Sequence, residues 1–158
     1  MSPSRFIVVA LGCQLLTACS WLSPYSDLTK LDLTLSASEQ LNPDLHGRPS
    51  PLVLQLVELS DAGTFEQADY FALQQHRTQL LAPNMLASEE LELRPGQRRT
   101  LKLAMQPQTR YLGLIASYRD LPNTRWRITL NLQQRARNSA QVQLGIDGLH
   151  LANSTGAP

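Results

Sequence analysis

Three histidines, two cysteines and a set of carboxylates are the residues of this 158-residue chain whose side chains could do chemistry. A zinc site needs histidines or cysteines at short spacings, and a hydrolytic nucleophile needs a base within hydrogen-bond reach. His46, His76 and His150 lie far apart in the sequence, and none has a second histidine four residues further on. No Gly-x-Ser-x-Gly motif is present either. We therefore predict that the protein is not an enzyme and holds no metal or cofactor.

The cysteines lie in a segment with the layout of an export signal. Arg5 precedes an apolar run from Phe6 to Leu16, which is too short to cross a hydrocarbon core of about 30 Å as a helix. The run leads into Leu16-Thr17-Ala18-Cys19, which resembles the lipobox of bacterial lipoproteins, whose cysteine is acylated and becomes the first residue after cleavage. We expect residues 1–18 to be a lipoprotein signal peptide and Cys19 to be the lipidation site. The alternative is a soluble export signal with an incidental cysteine.

Lipidation of Cys19 would hold the protein on a membrane. Stable anchoring takes more than one acyl chain, a condition that the bacterial modification meets. By resemblance to lipoprotein sorting rules, Ser20 after the cysteine favours the outer membrane, with the protein facing the periplasm. Residues 19–27 then form a tether, of which the last eight residues reach about 26 Å at most. The folded body must stay close to the lipid.

From Leu28 onward, the sequence pattern predicts mainly β-strands. Leucines alternate with polar residues from Leu28 to Leu35, which predicts a half-buried strand. The segment from Ser38 to Pro51 is rich in proline and turn residues, which indicates a long loop. Residues Leu52 to Leu59 are almost all apolar, so we expect a second strand that is covered on both faces.

The hydrophobic period then changes, which indicates a helical insertion at about residues 64–86. Thr64 and Gln67 have the spacing of a capping box, and the helix is expected to run to about His76. One face of it would carry Phe65, Ala68, Phe71, Ala72 and Gln75. A weaker helical turn through Leu80 and Leu81 follows.

Five further strands are expected after the insertion, separated by turn residues. They are Glu89 to Leu93, Thr100 to Met105, Tyr111 to Arg119, Trp126 to Gln133 and Gln141 to Leu151. Seven short strands in one small domain favour two packed sheets over a single open sheet. We therefore place a mainly β, two-sheet sandwich at residues 28–152 and a disordered tail at 153–158.

Charge is distributed unevenly along the chain. From Ser20 to Leu93 there are three basic and eleven acidic residues, whereas from Arg94 to Arg137 there are ten basic residues and one acidic residue. One interpretation is that acidic and basic strand faces are neighbours and neutralise one another. The other is a basic surface that faces a partner or anionic lipid. Nucleic acid is excluded as a partner, because an exported and anchored protein does not meet it.

Several patches of the sequence, in this order behind a lipobox, resemble the TssJ (SciN) family of type VI secretion lipoproteins. The matching patches are Asn42-Pro43-Asp44, Gly47-Arg48-Pro49-Ser50-Pro51-Leu52, Ala68-Asp69-Tyr70-Phe71-Ala72-Leu73, Leu93-Arg94-Pro95-Gly96, Thr109-Arg110-Tyr111-Leu112-Gly113, Ala116-Ser117-Tyr118-Arg119-Asp120-Leu121 and Trp126-Arg127. The resemblance covers most of the chain after the signal, from about Leu31 to Leu132.

The resemblance implies a transthyretin-like β-sandwich with a small helical insertion and a protruding loop between the first two strands. It also implies a place in the secretion membrane complex, where the partner is the periplasmic C-terminal region of TssM, a protein anchored in the inner membrane. Loops on a rigid sandwich commonly carry recognition. The residues expected to bind this partner are therefore those of the first loop, namely Gln40, Leu41, Asn42, Pro43, Asp44, Leu45 and His46.

Two alternatives stay open on the sequence. A lipid-anchored sandwich could bind a small ligand or a cell-wall fragment, which would require an apolar concavity with convergent polar groups. An exported enzyme with dispersed catalytic residues would require His46 or His150 to cluster with carboxylates in the fold. The interpretation that we favour is a lipoprotein that binds TssM, which has no small-molecule substrate and catalyses no reaction.

Overall fold

Two four-stranded sheets pack face to face and enclose one hydrophobic core. The structure is a computed structural model and describes residues 27–155; Cys19, the signal peptide and most of the tether lie outside these residues. The strands are β1 (Lys30–Ala37), β2 (Leu52–Leu59), β3 (Met85–Leu93), β4 (Arg98–Ala104), β5 (Tyr111–Ala116), β6 (Arg127–Asn131), β7 (Arg137–Gly145) and β8 (Gly148–Thr155). Their order is β4-β1-β7-β8 in the first sheet and β3-β2-β5-β6 in the second. The predicted β-sandwich is confirmed.

The first sheet is organised around β1, an inner strand that pairs antiparallel with β4 and parallel with β7. Its alternating sequence explains its position, because Leu31, Leu33 and Leu35 are buried in the core while the residues between them point outward. The expected first strand is therefore present, shifted by two residues toward the C-terminus.

The second sheet is covered on both faces along β2, as its apolar sequence predicts. Leu52, Leu54 and Leu56 face the core between the sheets. Val57 and Leu59 belong to a separate cluster on the outer face, where the helical insertion packs; its other buried members are Phe65, Leu73, Leu81 and Ile115. The insertion thus shields one face of one sheet only.

The insertion consists of two helices, α1 (Gly63–Gln67) and α2 (Tyr70–Leu81), and a short 3-10 turn (Leu121–Asn123) occurs later. The predicted capping box is wrong, since α1 begins after Ala62 without a side-chain cap. Asp69 instead caps α2, because its carboxylate accepts the backbone N–H of Ala72 at 3.0 Å. His76 has non-helical dihedral angles inside α2. The predicted end of the helix at about His76 is therefore a kink, after which α2 continues to Leu81.

The buried face of the insertion also differs from the predicted one. Phe71 is 63% exposed and Gln75 is exposed, whereas Leu73 is buried. The break in the helix at Ala68, whose backbone is extended, rotates α2 relative to α1. A single 3.6-residue period drawn from Phe65 through Gln75 cannot follow that change.

The last predicted strand is two strands. The segment Gln141 to Leu151 contains the end of β7, a tight turn at 146–147 and the start of β8. Gly148, at φ +123°, allows this turn to approach Arg125, since a Cβ there would lie 2.4 Å from the backbone nitrogen of Arg125. The sheets therefore contain eight strands instead of seven, and β8 extends to Thr155 although the sequence placed the end of the domain at 152.

The strand registers define two poles of the sandwich. Ser36, near the end of β1, pairs with Arg98 and with Gln143, and Leu54, near the start of β2, pairs with Ala116. One end, which we call the loop pole, therefore carries the connections 38–51, 94–97, 117–126 and 146–147. The opposite end is the tether pole, where the chain enters β1 from residue 27. None of the helices between residues 27 and 155 has the length and apolar character that crossing a membrane requires.

Candidate functional site

The loop between β1 and β2 is anchored at its base by a buried leucine. Leu41 is fully buried in the main core. Its backbone N–H donates to the carbonyl oxygen of Ser38 at 3.1 Å, and its carbonyl oxygen accepts the N–H of Ser50 at 2.9 Å. These two hydrogen bonds join the two sides of the loop near its ends, so the base of the loop packs as part of the sandwich.

Asn42 is also buried and connects the loop to a second connection of the loop pole. Its Nδ2 donates to the carbonyl oxygen of Pro51, and its Oδ1 accepts the backbone N–H of Arg119, both at 2.9 Å. The residue adopts φ +45°, a left-handed conformation that asparagine tolerates better than most residues. Only 4% of Asn42 is exposed, so it orders the loop from inside.

The tip of the loop is a turn organised by the carboxylate of Asp44. This group accepts the backbone N–H groups of His46 at 2.8 Å and Arg48 at 3.0 Å, and it also accepts the Nε–H of Arg48 at 2.8 Å. These contacts, led by the Arg48 backbone N–H, lower the pKa of Asp44 below its usual range. Gly47 completes the turn at φ +76°. Leu45 lies at the top of this turn with its side chain entirely in solvent, at 103% exposure.

The seven residues predicted to bind a partner therefore divide into three groups by exposure. Gln40, Leu45 and His46 are exposed, while Pro43 and Asp44 are half-buried. Leu41 and Asn42 face inward, and a partner cannot touch their side chains without opening the fold. For these two residues the prediction of direct contact does not fit the fold, because their side chains are buried and hold the turn that presents Leu45.

A second exposed apolar residue occurs at the same pole, and the sequence analysis did not single it out. Ile146 lies in the β7–β8 turn and is 55% exposed. The hydroxyl of Tyr118 donates to the carbonyl oxygen of Gly145 at 3.0 Å, which fixes this turn to the β5–β6 connection. Burial raises the pKa of the Tyr118 hydroxyl, and the charge of Asp147 adds to the effect. The signal in the sequence was a two-residue segment between Gly145 and Gly148, which is typical of a hairpin turn.

Among residues 27–155, one histidine side chain lies close to a carboxylate. Nε2 of His150 is 3.0 Å from Oδ1 of Asp147 in the β7–β8 hairpin. Ser36 lines the shallow depression beside His150 and Asp147. It belongs to β1, however, and β7 lies between β1 and β8, so the axes of these two strands are about 10 Å apart. His46 and His76 are exposed. Residues 27–155 contain no group of three or more potential ligands that could hold a metal ion.

Polar side chains also hold the helical insertion on the second sheet. Gln55 of β2 is 6% exposed and donates to Glu90 of β3 at 3.0 Å, while its Oε1 accepts a hydrogen bond from Arg77 of α2. At the other side of the insertion, Arg127 donates to the carbonyl oxygens of Phe65 and Ala68 at 2.7 Å each. Desolvation lowers the pKa of Arg127. These contacts explain the position of the insertion.

Two clefts open between the sheets along the sides of the sandwich. One has a volume of about 160 Å³ and is bordered by β6 and β8. The other has a volume of about 230 Å³ and is bordered by β3 and β4. Sites for small molecules usually enclose about 300–1,000 Å³. Neither cleft reaches this range. Two depressions do, one of about 540 Å³ beside His150 and one of about 320 Å³ along α2, but both are wide open to solvent and would not enclose a ligand.

The two charged segments of the sequence meet along one side of the molecule. Glu89, Glu90 and Glu92 are exposed on β3, and Arg98, Arg99 and Lys102 are exposed on β4, the strand that follows it. The ion pairs between Arg and Asp side chains of the described residues are Asp44–Arg48 and Asp32–Arg137. The arrangement agrees with mutual neutralisation of neighbouring edges, and within residues 27–155 several arginines have no directly paired carboxylate.

A comparison with protein families shows which family the chain belongs to. Residues 29–147 match the T6SS-SciN family, described as the type VI secretion lipoproteins VasD, EvfM and TssJ. The chain belongs to the type VI secretion lipoprotein family. No curated protein matches the chain.

Solved structures of this family have the same architecture. The T6SS lipoprotein TssJ1 from Pseudomonas aeruginosa is 34% identical, covers 83% of this chain and 99% of its own, and superposes with a TM-score of 0.78. Lip from Serratia marcescens, a membrane-bound component of the type VI secretion system, is 27% identical with a TM-score of 0.74, over 79% of this chain and 98% of its own. A structure of the TssM C-terminal domain from EAEC matches at 24% identity, over 79% of this chain and 98% of that one, with a TM-score of 0.63. This likeness shows the fold alone.

Proposed function

We propose that this type VI secretion lipoprotein anchors the periplasmic C-terminal region of TssM to the outer membrane. Acylated Cys19 holds the protein in the membrane, and the loop between β1 and β2 binds the partner. The protein acts by binding and carries out no reaction. Its membership in a family of secretion-system lipoproteins supports the role, because such proteins are structural components of the system.

The observation that carries the proposal is the ordered turn that presents Leu45. A fully exposed leucine on a mobile loop would lose much conformational entropy on binding, whereas this turn is fixed in advance by three hydrogen bonds to Asp44. An apolar side chain that is held rigidly in solvent is suited to enter a pocket of another protein. We therefore assign the direct contact to Leu45, with His46 and Gln40 beside it.

The placement of the loop also supports the proposal. The chain enters β1 at the tether pole, and the loop leaves β1 at the opposite pole, one strand length away. An eight-residue β-strand is about 26 Å long. A tether of similar maximum length therefore keeps the tether pole near the lipid while the loop points toward the periplasm.

The experiment is a binding measurement with the lipidated protein in nanodiscs and the purified periplasmic C-terminal region of TssM. Leu45→Asp is expected to weaken binding by at least tenfold, about 1.4 kcal/mol. Phe71→Asp is the matched control, since Phe71 is an exposed apolar residue of the helical insertion. Absence of binding by the wild-type protein would refute the proposed partner. Equal affinities for Leu45→Asp and the wild type would instead remove the loop tip from the interface.

A further inference from the structure

Two large apolar side chains of the loop pole, Leu45 and Ile146, are exposed to solvent. Large apolar residues are exposed at few positions among residues 27–155, and the others are Leu28, Phe71 and Leu151. Leu45 and Ile146 are the two that occupy turn tips at this pole. They come from different connections, 38–51 and 146–147, which the fold brings to the same end.

A continuous set of contacts connects the two tips. Asn42, which precedes the Leu45 turn, accepts the backbone N–H of Arg119. The neighbouring residue Tyr118 donates to the carbonyl oxygen of Gly145, which precedes Ile146. The β5–β6 connection therefore lies between the two turns and fixes both. The tips are parts of one rigid surface, although 101 positions separate them in the chain.

The loop pole carries exposed arginines, Arg94, Arg119 and Arg125, beside two exposed carboxylates, Glu39 and Asp120. The carboxylate of Asp44 forms an ion pair with Arg48, and that of Asp147 lies 3.0 Å from His150. Arg119, which lowers the pKa of Asp44 through its charge, and Arg125, which has the same effect on Asp147, are exposed and form no ion pair with a carboxylate of residues 27–155. Two arginines thus remain free to meet acidic groups of a partner.

We propose that Leu45, Arg119 and Ile146 form a single binding surface, and that the partner offers two apolar recesses separated by carboxylates. This inference rests on the proposed function and extends it from one loop to the whole pole. Interface cores favour apolar anchors and arginine, and complementary charge fixes the register of docking. A partner that contacted the first loop alone would leave Ile146 in water.

The test uses the lipidated protein in nanodiscs and the TssM region described above. Ile146→Asp and Arg119→Glu are each expected to weaken binding by at least tenfold, and Ile146→Ser by a smaller factor. The matched controls are Phe71→Asp and Arg110→Glu, which change an exposed apolar residue and an exposed arginine outside the loop pole. Thermal unfolding of every variant confirms that the fold is retained.

Salt dependence provides the second measurement. Affinity of the wild type should fall as the salt concentration rises from 50 to 500 mM, and Arg119→Gln should show a weaker dependence, because it removes one of the two arginine charges that salt screens. If Leu45→Asp weakens binding while Ile146→Asp and Arg119→Glu bind as the controls do, the enlarged surface is refuted and the proposed function stands. If the wild type does not bind, both are refuted.

Discussion

Asn42 and Arg119 are joined by a hydrogen bond of 2.9 Å across 77 positions of sequence, from the backbone N–H of Arg119 to the side-chain oxygen of Asn42. The bond connects the loop after β1 with the connection after β5, and so joins a strand of one sheet to a strand of the other. The same side chain donates to Pro51 at the end of its own loop. One buried amide therefore sets the position of the loop relative to both sheets.

Asn42→Ala should destabilise the protein by about 1–3 kcal/mol. The substitution leaves the carbonyl oxygen of Pro51 and the N–H of Arg119 without their partner, and it places alanine at a positive φ. Denaturant unfolding measures the effect. Gln40→Ala, at an exposed position of the same loop, should change the stability by less than about 0.5 kcal/mol. Equal stabilities for the two variants would contradict the structural role of Asn42.

Cys19→Ala should release the protein from the membrane without unfolding its body, because on the proposed function Cys19 supplies the lipid attachment and lies outside the sandwich of residues 27–155. Fractionation of cells that produce the full-length chain is the measurement. Cys13→Ala is the matched control, since Cys13 lies in the apolar run of the expected signal and should not carry lipid. A Cys19→Ala protein that still sediments with the outer membrane and resists salt extraction would disprove lipidation at this residue.

Trp126→Ala should lower the free energy of unfolding by about 3 kcal/mol. This is the lower end of the range for large aromatic residues, because the ring is only half-buried. Trp126 packs against both hydrophobic clusters, its ring is 5.2 Å from that of Tyr70, and the guanidinium of Arg127 lies 4.6 Å from its centre. Thermal or denaturant unfolding reports the loss. Phe71→Ala should be nearly neutral, because Phe71 is mostly in solvent. An unchanged Trp126→Ala midpoint together with lost partner binding would show that Trp126 is a contact residue instead.

Stability should decrease as the pH rises above about 10, and Tyr118 should be one cause. Burial raises the pKa of Tyr118, so the folded protein keeps a proton that the unfolded chain releases near pH 10. Because the folded state then binds more protons than the unfolded state, its free energy of unfolding falls with increasing pH. Denaturant unfolding between pH 8 and 11 measures this slope. It should be reduced in Tyr118→Phe and retained in Tyr111→Phe, and identical slopes in the two variants would contradict the assignment.

The strand pattern of the sheets was predictable from the sequence because it depends on alternation. Leu31, Leu33 and Leu35 alternate without interruption, and Leu52 to Leu59 is apolar on both faces, so both strands and their burial follow directly. The hairpin between β7 and β8 was not predicted, because Ile146 continues the apolar pattern through the turn. The division into two sheets could still be inferred from the number of short strands.

The parts that could not be predicted depend on contacts between distant segments. The sequence around Asn42, which is rich in proline and turn residues, predicts a loop position. Its burial depends on Arg119, which lies 77 positions away in the chain. The orientation of α2 depends on the extended backbone of Ala68 and on the hydrogen bonds from Arg127, and neither has a local sequence signal. The burial of Leu41 means that replacing residues 40–46 with a flexible connector would disturb the core. Single substitutions at Leu45 test recognition more cleanly.

The position of β1 determines how the protein would bear mechanical load. On the proposed anchoring, lipid pulls at the start of this strand and the partner pulls near its end, so tension runs along β1 itself. The strand is bonded along its length to β4 on one side and to β7 on the other. Ladder hydrogen bonds lie across the strand direction, so a pull along β1 loads both ladders in shear and strains their bonds together. A strand at the edge of the sheet would spread the same load over one ladder only, whereas β1 spreads it over two.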